Sequence, residues 1–192
     1  MPRLYLIRHA EPAATWGEAD PDPGLTDLGM AQAADAAGKL AALKPARIIS
    51  SPYRRCVETA AALQMELGGF PQIEPAFGEV PTPAGVEDRR AWLVSTFPWI
   101  GAPDGDNSQW SALSADLQAW RAQMIAALKA IGEDAAVFTH FVAINAMASA
   151  AQGREETIVF RPAHASITTL DVNGDDLRVA ALGAETPAVR VT

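Results

Sequence analysis

Sulfur is scarce in this chain of 192 residues, where Cys56 is the one cysteine. A lone cysteine excludes an intrachain disulfide and fits a reducing compartment. Histidine is nearly as scarce, with three in all. Neither the histidines nor the cysteine stand at ligand spacing, so no metal site and no cofactor are expected. The Gly-rich phosphate loop of the P-loop kind is missing. No apolar run approaches the length of a membrane span. The first residues do not combine a charged start, a long apolar stretch and a small-residue cleavage site. These absences lead to the expectation of a cytoplasmic chain with no membrane partner. Positive charge is also short: 15 Lys and Arg stand against 23 Asp and Glu, for a net charge of −8. An acidic chain repels phosphate backbones at long range, so nucleic acid is not an expected partner. A phosphorylated small molecule remains open, because a local basic pocket can oppose the global charge.

Hydrophobic residues make up 49% and charged residues 20% of the chain, the balance of a globular domain. The length suits a single domain over 1–192 with one insertion. "LYLI" (Leu4 to Ile7), "ARIIS" (Ala46 to Ser50) and "AAVFT" (Ala135 to Thr139) read as buried strands. Gln72 to Glu74 is read as a short strand. Thr26 is a good N-cap for a helix whose apolar face is Met30, Ala33, Ala37 and Leu40, and Pro45 bars its continuation. Cys56, Ala60, Leu63 and Leu67 mark a second helix, closed by Gly68 and Gly69. Val86 to Phe97 reads as helical. A long helix is predicted from about Ser108 to Ile131, with Leu113, Leu117, Trp120, Met124, Leu128 and Ile131 as its stripe. An Ala-rich helix to Gln152 follows the third strand. Asn173-Gly174 signals a hairpin with a loop longer than two residues. Alternating strands and helices predict an α/β fold of three layers, a central mostly parallel sheet flanked by helices.

In open α/β sheets, ligands bind beyond the carboxyl ends of the strands. Arg8 and His9 follow the first strand here, Ser51 to Arg55 the second, and His140 the third. Arginine offers a planar fork that matches phosphate oxygens. A neutral imidazole can take a phosphoryl group, surrounding cations stabilise its charge, and a carboxylic acid must protonate the departing oxygen. The pattern points to phosphoryl transfer.

The residues also resemble a known family. "LIRHAEP" resembles the Arg-His-Gly signature of the histidine phosphatase superfamily, also called phosphoglycerate-mutase-like. "GLTDLGMAQA", "SSPYRRCVETA", "THFVAINA" and "AHASITTL" resemble its further motifs, in the expected order and over nearly the whole chain. The resemblance implies the phosphoglycerate-mutase-like fold and a phosphomonoester hydrolase of the histidine acid phosphatase type. It implies His9 as the phosphorylated nucleophile, Arg8 and Arg55 as phosphate ligands, and His140 on the phosphoryl group from the other side. Glu79, in "FGEVP", matches the family's acid position, with Glu74, Glu87 and Asp88 as nearby competitors. Arg54 is read as facing solvent.

Glu11 and Ser166 join the candidate phosphate-binding residues, Glu11 being read equally as a loop carboxylate. His164 is left between a pocket and a structural role. Two positions depart from the usual glycines: Ala10 after the first histidine and Phe141 after the second. Phe141 either points into the core or narrows the pocket. The Pro-, Gly- and Trp-rich segment 80–110 is read as an insertion or cap, in which Trp92, Trp99 and Trp110 either cover a small substrate or pack on the long helix. The alternatives to a phosphatase are a phosphoglycerate-type mutase and a non-catalytic phosphate-binding scaffold. A phosphohistidine protein phosphatase is a narrower version of the lead. The expected partner is a phosphorylated small molecule.

Overall fold

Leu4, Tyr5, Leu6 and Ile7 are all buried, and burial on both faces puts their strand in the middle of a sheet. The computed structural model describes residues 1–14, 20, 22–98 and 108–186. Its strands are β1 (Arg3–Arg8), β2 (Arg47–Ser50), β3 (Gln72–Ile73), β4 (Ala135–Thr139), β5 (Ile167–Asn173) and β6 (Asp176–Ala181). They form one six-stranded sheet in the order β3-β2-β4-β1-β5-β6. β3, β2, β4 and β1 run parallel. β5 and β6 continue the sheet antiparallel.

The helices are α1 (Asp27–Leu43), α2 (Arg54–Leu67), α3 (Arg89–Thr96), α4 (Ala115–Lys129) and α5 (Phe141–Ala151). Alternating side chains send each central strand into two cores. Leu4, Leu6, Ala135 and Val137 join Met124 and Leu128 of α4 and Val142 and Met147 of α5. Tyr5, Ile7, Ala136 and Phe138 join Ala33, Ala37 and Leu40 of α1 and Cys56, Ala60 and Leu63 of α2. That is the expected three-layer α/β architecture. The whole run from Phe141 to Ser149 is buried, because α5 lies against the sheet with α4 beside it. No described helix is long and apolar enough to cross a membrane.

Several boundaries differ from those predicted. α4 begins at Ala115 rather than Ser108, because a 3-10 turn over Trp110–Ala112 and the extended residues Leu113 and Ser114 come first. Trp110 anchors that turn: it is buried, and its Nε1–H donates to Ser149 Oγ at 3.1 Å. The helix read at Val86 starts at Arg89, where the Asp88 side chain accepts from the Ala91 N–H. Met30 of α1 and Leu67 of α2 are exposed, while Gly29 and Ala36 join the buried residues of α1. The β5–β6 loop is two residues long, not longer, since Asn173 pairs directly with Asp176. Gly174 occupies its first position with φ +58°, where glycine carries no Cβ penalty.

The aromatic residues of the 80–110 segment pack. Trp92 meets Phe97 edge-on at 5.8 Å, Phe97 meets Trp110 at 5.9 Å, and Trp110 meets Trp120 of α4 at 6.2 Å. Trp99 lies outside the described residues.

Candidate active site

β1 and β4 are neighbours in register, with Arg8 opposite Thr139. The next residue on each strand is a histidine, so His9 and His140 leave the sheet side by side. Their ring centroids are 5.4 Å apart, inclined at 61°. The His9 N–H still donates to the Thr139 carbonyl at 2.9 Å, which carries the sheet's order one residue past its end. β2 brings the third strand end. Ser51 N–H donates to the Phe138 carbonyl at 2.9 Å, and Ser51 Oγ lies 2.8 Å from His140 Nε2.

Hydrogen bonding sets the proton on each imidazole. His9 Nδ1 is 2.8 Å from the Ala10 carbonyl oxygen. A carbonyl only accepts, so Nδ1 carries the hydrogen and Nε2 the lone pair. Ala10 itself is fully buried, and its N–H donates to Thr59 Oγ1 at 3.0 Å. Its methyl group therefore sits in the core while its backbone orients the histidine. His140 has the opposite tautomer. Arg55 Nη2 donates to its Nδ1 at 3.1 Å, and a guanidinium has no acceptor, so Nε2–H faces Ser51. Burial pushes the pKa of both rings well below the ordinary value; for His140, Arg55 and Arg8 push it further, and for His9, His140 and Arg8 do. Both are neutral at neutral pH.

Arginines flank the pair. Arg8 Nη1 donates to the Pro162 carbonyl at 2.9 Å, while its buried Nε has no partner among the described residues. Burial lowers its pKa to about 10, which keeps it charged at neutral pH. Arg55 lies over the Tyr53 ring at 4.6 Å. Its Nη1 stands 3.8 Å from Asp22 Oδ1. Helices α2 and α5 begin directly behind these residues, so their positive ends add to the same field. Glu79 is buried, with Oε2 at 3.6 Å from His140 Nδ1. Its Oε1 accepts from the Val80 N–H at 2.9 Å. Burial raises its pKa against the pull of that bond and of Arg55.

The structure brings Arg8, His9, Arg55, Glu79 and His140 into one buried cluster. The competitors of Glu79 are engaged elsewhere: Glu74 caps a 3-10 turn at Pro75–Phe77, Asp88 caps α3, and Glu87 is exposed. Arg54 is exposed and paired with Glu58 at 2.7 Å. Glu11 turns toward α1 instead: its Oε1 accepts from Thr26 Oγ1 at 2.9 Å, and its carbonyl accepts from the Thr26 N–H. That is the loop-carboxylate reading, in which it braces the start of a helix. Ser166 is buried on the Arg8 side of the sheet, its carbonyl accepting from the Arg8 N–H. Its Oγ has no partner among the described residues and lies close to Gly183. Phe141 is in the larger core, and the Arg8 guanidinium stands 5.2 Å from its ring centroid. It therefore points into the core and also supports the Arg8 guanidinium.

Four neighbours were not singled out from the sequence. Ser51 and Cys56 touch His140, Tyr53 lies beneath Arg55, and Thr59 holds Ala10. All come from "SSPYRRCVET", where the helical spacing from Arg55 to Thr59 was the available signal. The Cys56 thiol is fully buried, and its pKa is pushed far up by desolvation, so it stays protonated. His164, left open from the sequence between a pocket and a structural role, stands with its ring 5.7 Å from that of His9. Among the described residues no group of three or more His, Cys, Asp or Glu is placed to hold a metal ion.

Comparison with known proteins agrees with this geometry. The family model described as histidine phosphatase superfamily (branch 1) matches residues 4–185. No curated protein sequence matches the chain significantly. Among solved structures, mycobacterial glucosyl-3-phosphoglycerate phosphatase superposes with a TM-score of 0.71 at 21% identity, covering 97% of this chain and 100% of its own. YhfR of Bacillus stearothermophilus gives 0.72 at 20% identity, over 99% and 100%. A phosphoserine phosphatase from Entamoeba histolytica gives 0.68 at 19% identity, over 96% and 98%. At such identities the likeness concerns the fold, a mixed sheet of the phosphoglycerate-mutase-like type.

Proposed function

The chain belongs to branch 1 of the histidine phosphatase superfamily, and from that premise we propose that it hydrolyses a phosphomonoester through a phosphohistidine on His9, with Glu79 as general acid. The observation that carries the reading is the Nδ1–H of His9 held on the Ala10 carbonyl. It leaves the Nε2 lone pair as the nucleophile, beside two arginines that match phosphate oxygens.

The steps follow from the positions. Arg8, Arg55 and the starts of α2 and α5 receive the phosphate dianion. His9 Nε2 forms a bond to phosphorus as the ester P–O bond breaks. Glu79 passes its proton to the departing oxygen, and the alcohol leaves. The resulting Glu79 carboxylate takes a proton from water, whose oxygen attacks phosphorus. The P–N bond breaks, the lone pair returns to His9, and inorganic phosphate departs with Glu79 protonated again. Charge on the transferred group stays on its equatorial oxygens throughout, where fixed cations stabilise it without rearranging.

Incubation with an aryl phosphate tests this. The unaltered protein is expected to accumulate acid-labile, alkali-stable phosphate when quenched, and His9→Ala to show neither that phosphate nor turnover. Turnover that survives His9→Ala would sink the mechanism. Phosphate binding without turnover of any phosphoester would favour a scaffold.

A further inference from the structure

His164 is not needed for the steps above, yet it stands beside the nucleophile. It occupies a turn clamped to β1. Ser166 N–H donates to the Ala163 carbonyl at 3.1 Å, closing the turn around His164 and Ala165. Ala165 N–H donates to the Arg8 carbonyl at 3.0 Å, and Ala163 N–H to that of Ala184 at 2.8 Å. Ala165 has φ +54°, a left-handed conformation that strains a residue with a Cβ. Strained backbone persists where surrounding contacts over-determine it, and it concentrates at functional sites. Here the strained residue is the one that presents His164.

The ring has no polar partner. It is half-buried, and neither ring nitrogen has a hydrogen-bond partner among the described residues. His9 Nδ1 and both nitrogens of His140 are accounted for by Ala10, Ser51 and Arg55, which leaves only the reacting Nε2 of His9 open beside it. Burial first, and Arg8 second, lower the His164 pKa to about 4, so the ring is neutral and offers one donor and one acceptor. Its ring packs against the His9 ring, with centroids 5.7 Å apart and planes tilted by 38°, which puts it directly beside the nucleophile.

We propose that His164 is a specificity-determining residue that hydrogen-bonds a hydroxyl group carried by the leaving alcohol, close to its ester oxygen. This rests on the phosphatase reading above. A neutral imidazole is matched to a hydroxyl, which also donates once and accepts. A plain alkyl or aryl leaving group would leave both ring nitrogens unpaired in a half-desolvated place. The substrate class is therefore a phosphorylated polyol, sugar or hydroxy acid rather than a simple alkyl phosphate.

Glycerol 1-phosphate and n-propyl phosphate test this, since they differ only in hydroxyl groups. The unaltered protein is expected to prefer the glycerol ester in kcat/KM. His164→Ala is expected to lower kcat/KM for the glycerol ester about tenfold more than for the propyl ester. His164→Asn, which keeps a donor and an acceptor, is expected to restore part of that difference. Inhibition by inorganic phosphate serves as the measure that the cluster is still assembled. Equal losses on the two esters, or none on either, would overturn the proposal while leaving the phosphatase reading intact. Absence of turnover of both esters and of an aryl phosphate by the unaltered protein would overturn both.

Discussion

One hydrogen bond, from His9 Nδ1 to its neighbour's carbonyl, decides which nitrogen of His9 is free to react. That bond has no sequence signature, because any residue at position 10 supplies a carbonyl. The identities of Arg8, His9, Arg55 and His140 were legible, since each follows an apolar strand. The role of His164 was not, because it depends on a turn whose positive-φ residue is an alanine rather than the expected glycine. Glu79 was legible only by family position, and burial now distinguishes it from its competitors. Its raised pKa sets a sign. The protonated form is the donor, so turnover limited by leaving-group protonation is held below the folded-state pKa and lost above it. Glu79→Gln is expected to lower kcat for an alkyl phosphate by about 10²–10⁴-fold and to remove the alkaline limb of its pH profile. For an aryl phosphate, whose leaving group needs little protonation, the loss is expected to be much smaller. Comparable losses on both esters would count against the acid role.

At the scale of elements, α1 is tied to the residue that follows the His9–Ala10 pair. Thr26 caps the helix through its Oγ1, which accepts from the Gly29 N–H at 2.9 Å, and donates its own hydroxyl to Glu11. Gly29 lies so close that a Cβ built on it would run into the Glu11 carbonyl oxygen. Here glycine serves close approach, since its φ is not positive. Gly29→Ala is expected to push helix and loop apart, costing about 1–3 kcal/mol of stability and reducing kcat by shifting Ala10. Urea unfolding and aryl phosphate turnover measure both effects. A variant as stable and active as the parent would show that the loop yields freely. Element existence was readable from apolar periodicity for the strands and most helices. Boundaries were not, where a buried side chain overrode the pattern. Trp110 lies within the helix read from about Ser108 yet heads a 3-10 turn, because its indole reaches Ser149 on α5.

For the molecule as a whole, an acidic chain of net charge −8 concentrates cations where three strands end. The three histidines all have lowered pKa values, to about 4 for His164. Each is neutral when folded and takes a proton when unfolded below its ordinary value of 6.5. Stability therefore falls as pH drops from 6.5. Glu79 acts oppositely, because its raised pKa keeps a proton in the folded chain that the unfolded chain releases above 4.5. The net is up to about two protons taken up on unfolding, a slope of about 3 kcal/mol per pH unit between pH 6 and 4. Denaturant melts across that range are expected to show the loss, reduced by about half in His164→Asn at pH 5. A flat profile would mean that the histidines are charged when folded.

The in-register pairing of β1 with β4 also bears on what heat and denaturant reach first. Backbone amides of central, doubly buried strands exchange with solvent only when the entire domain opens. The two imidazoles hang from that slowest-opening layer, and their spacing is a property of the sheet. The Glu79 segment follows β3 at the sheet's border, where partial opening is cheaper. Partial loosening is thus expected to displace the Glu79 carboxyl while the two imidazoles still keep their spacing.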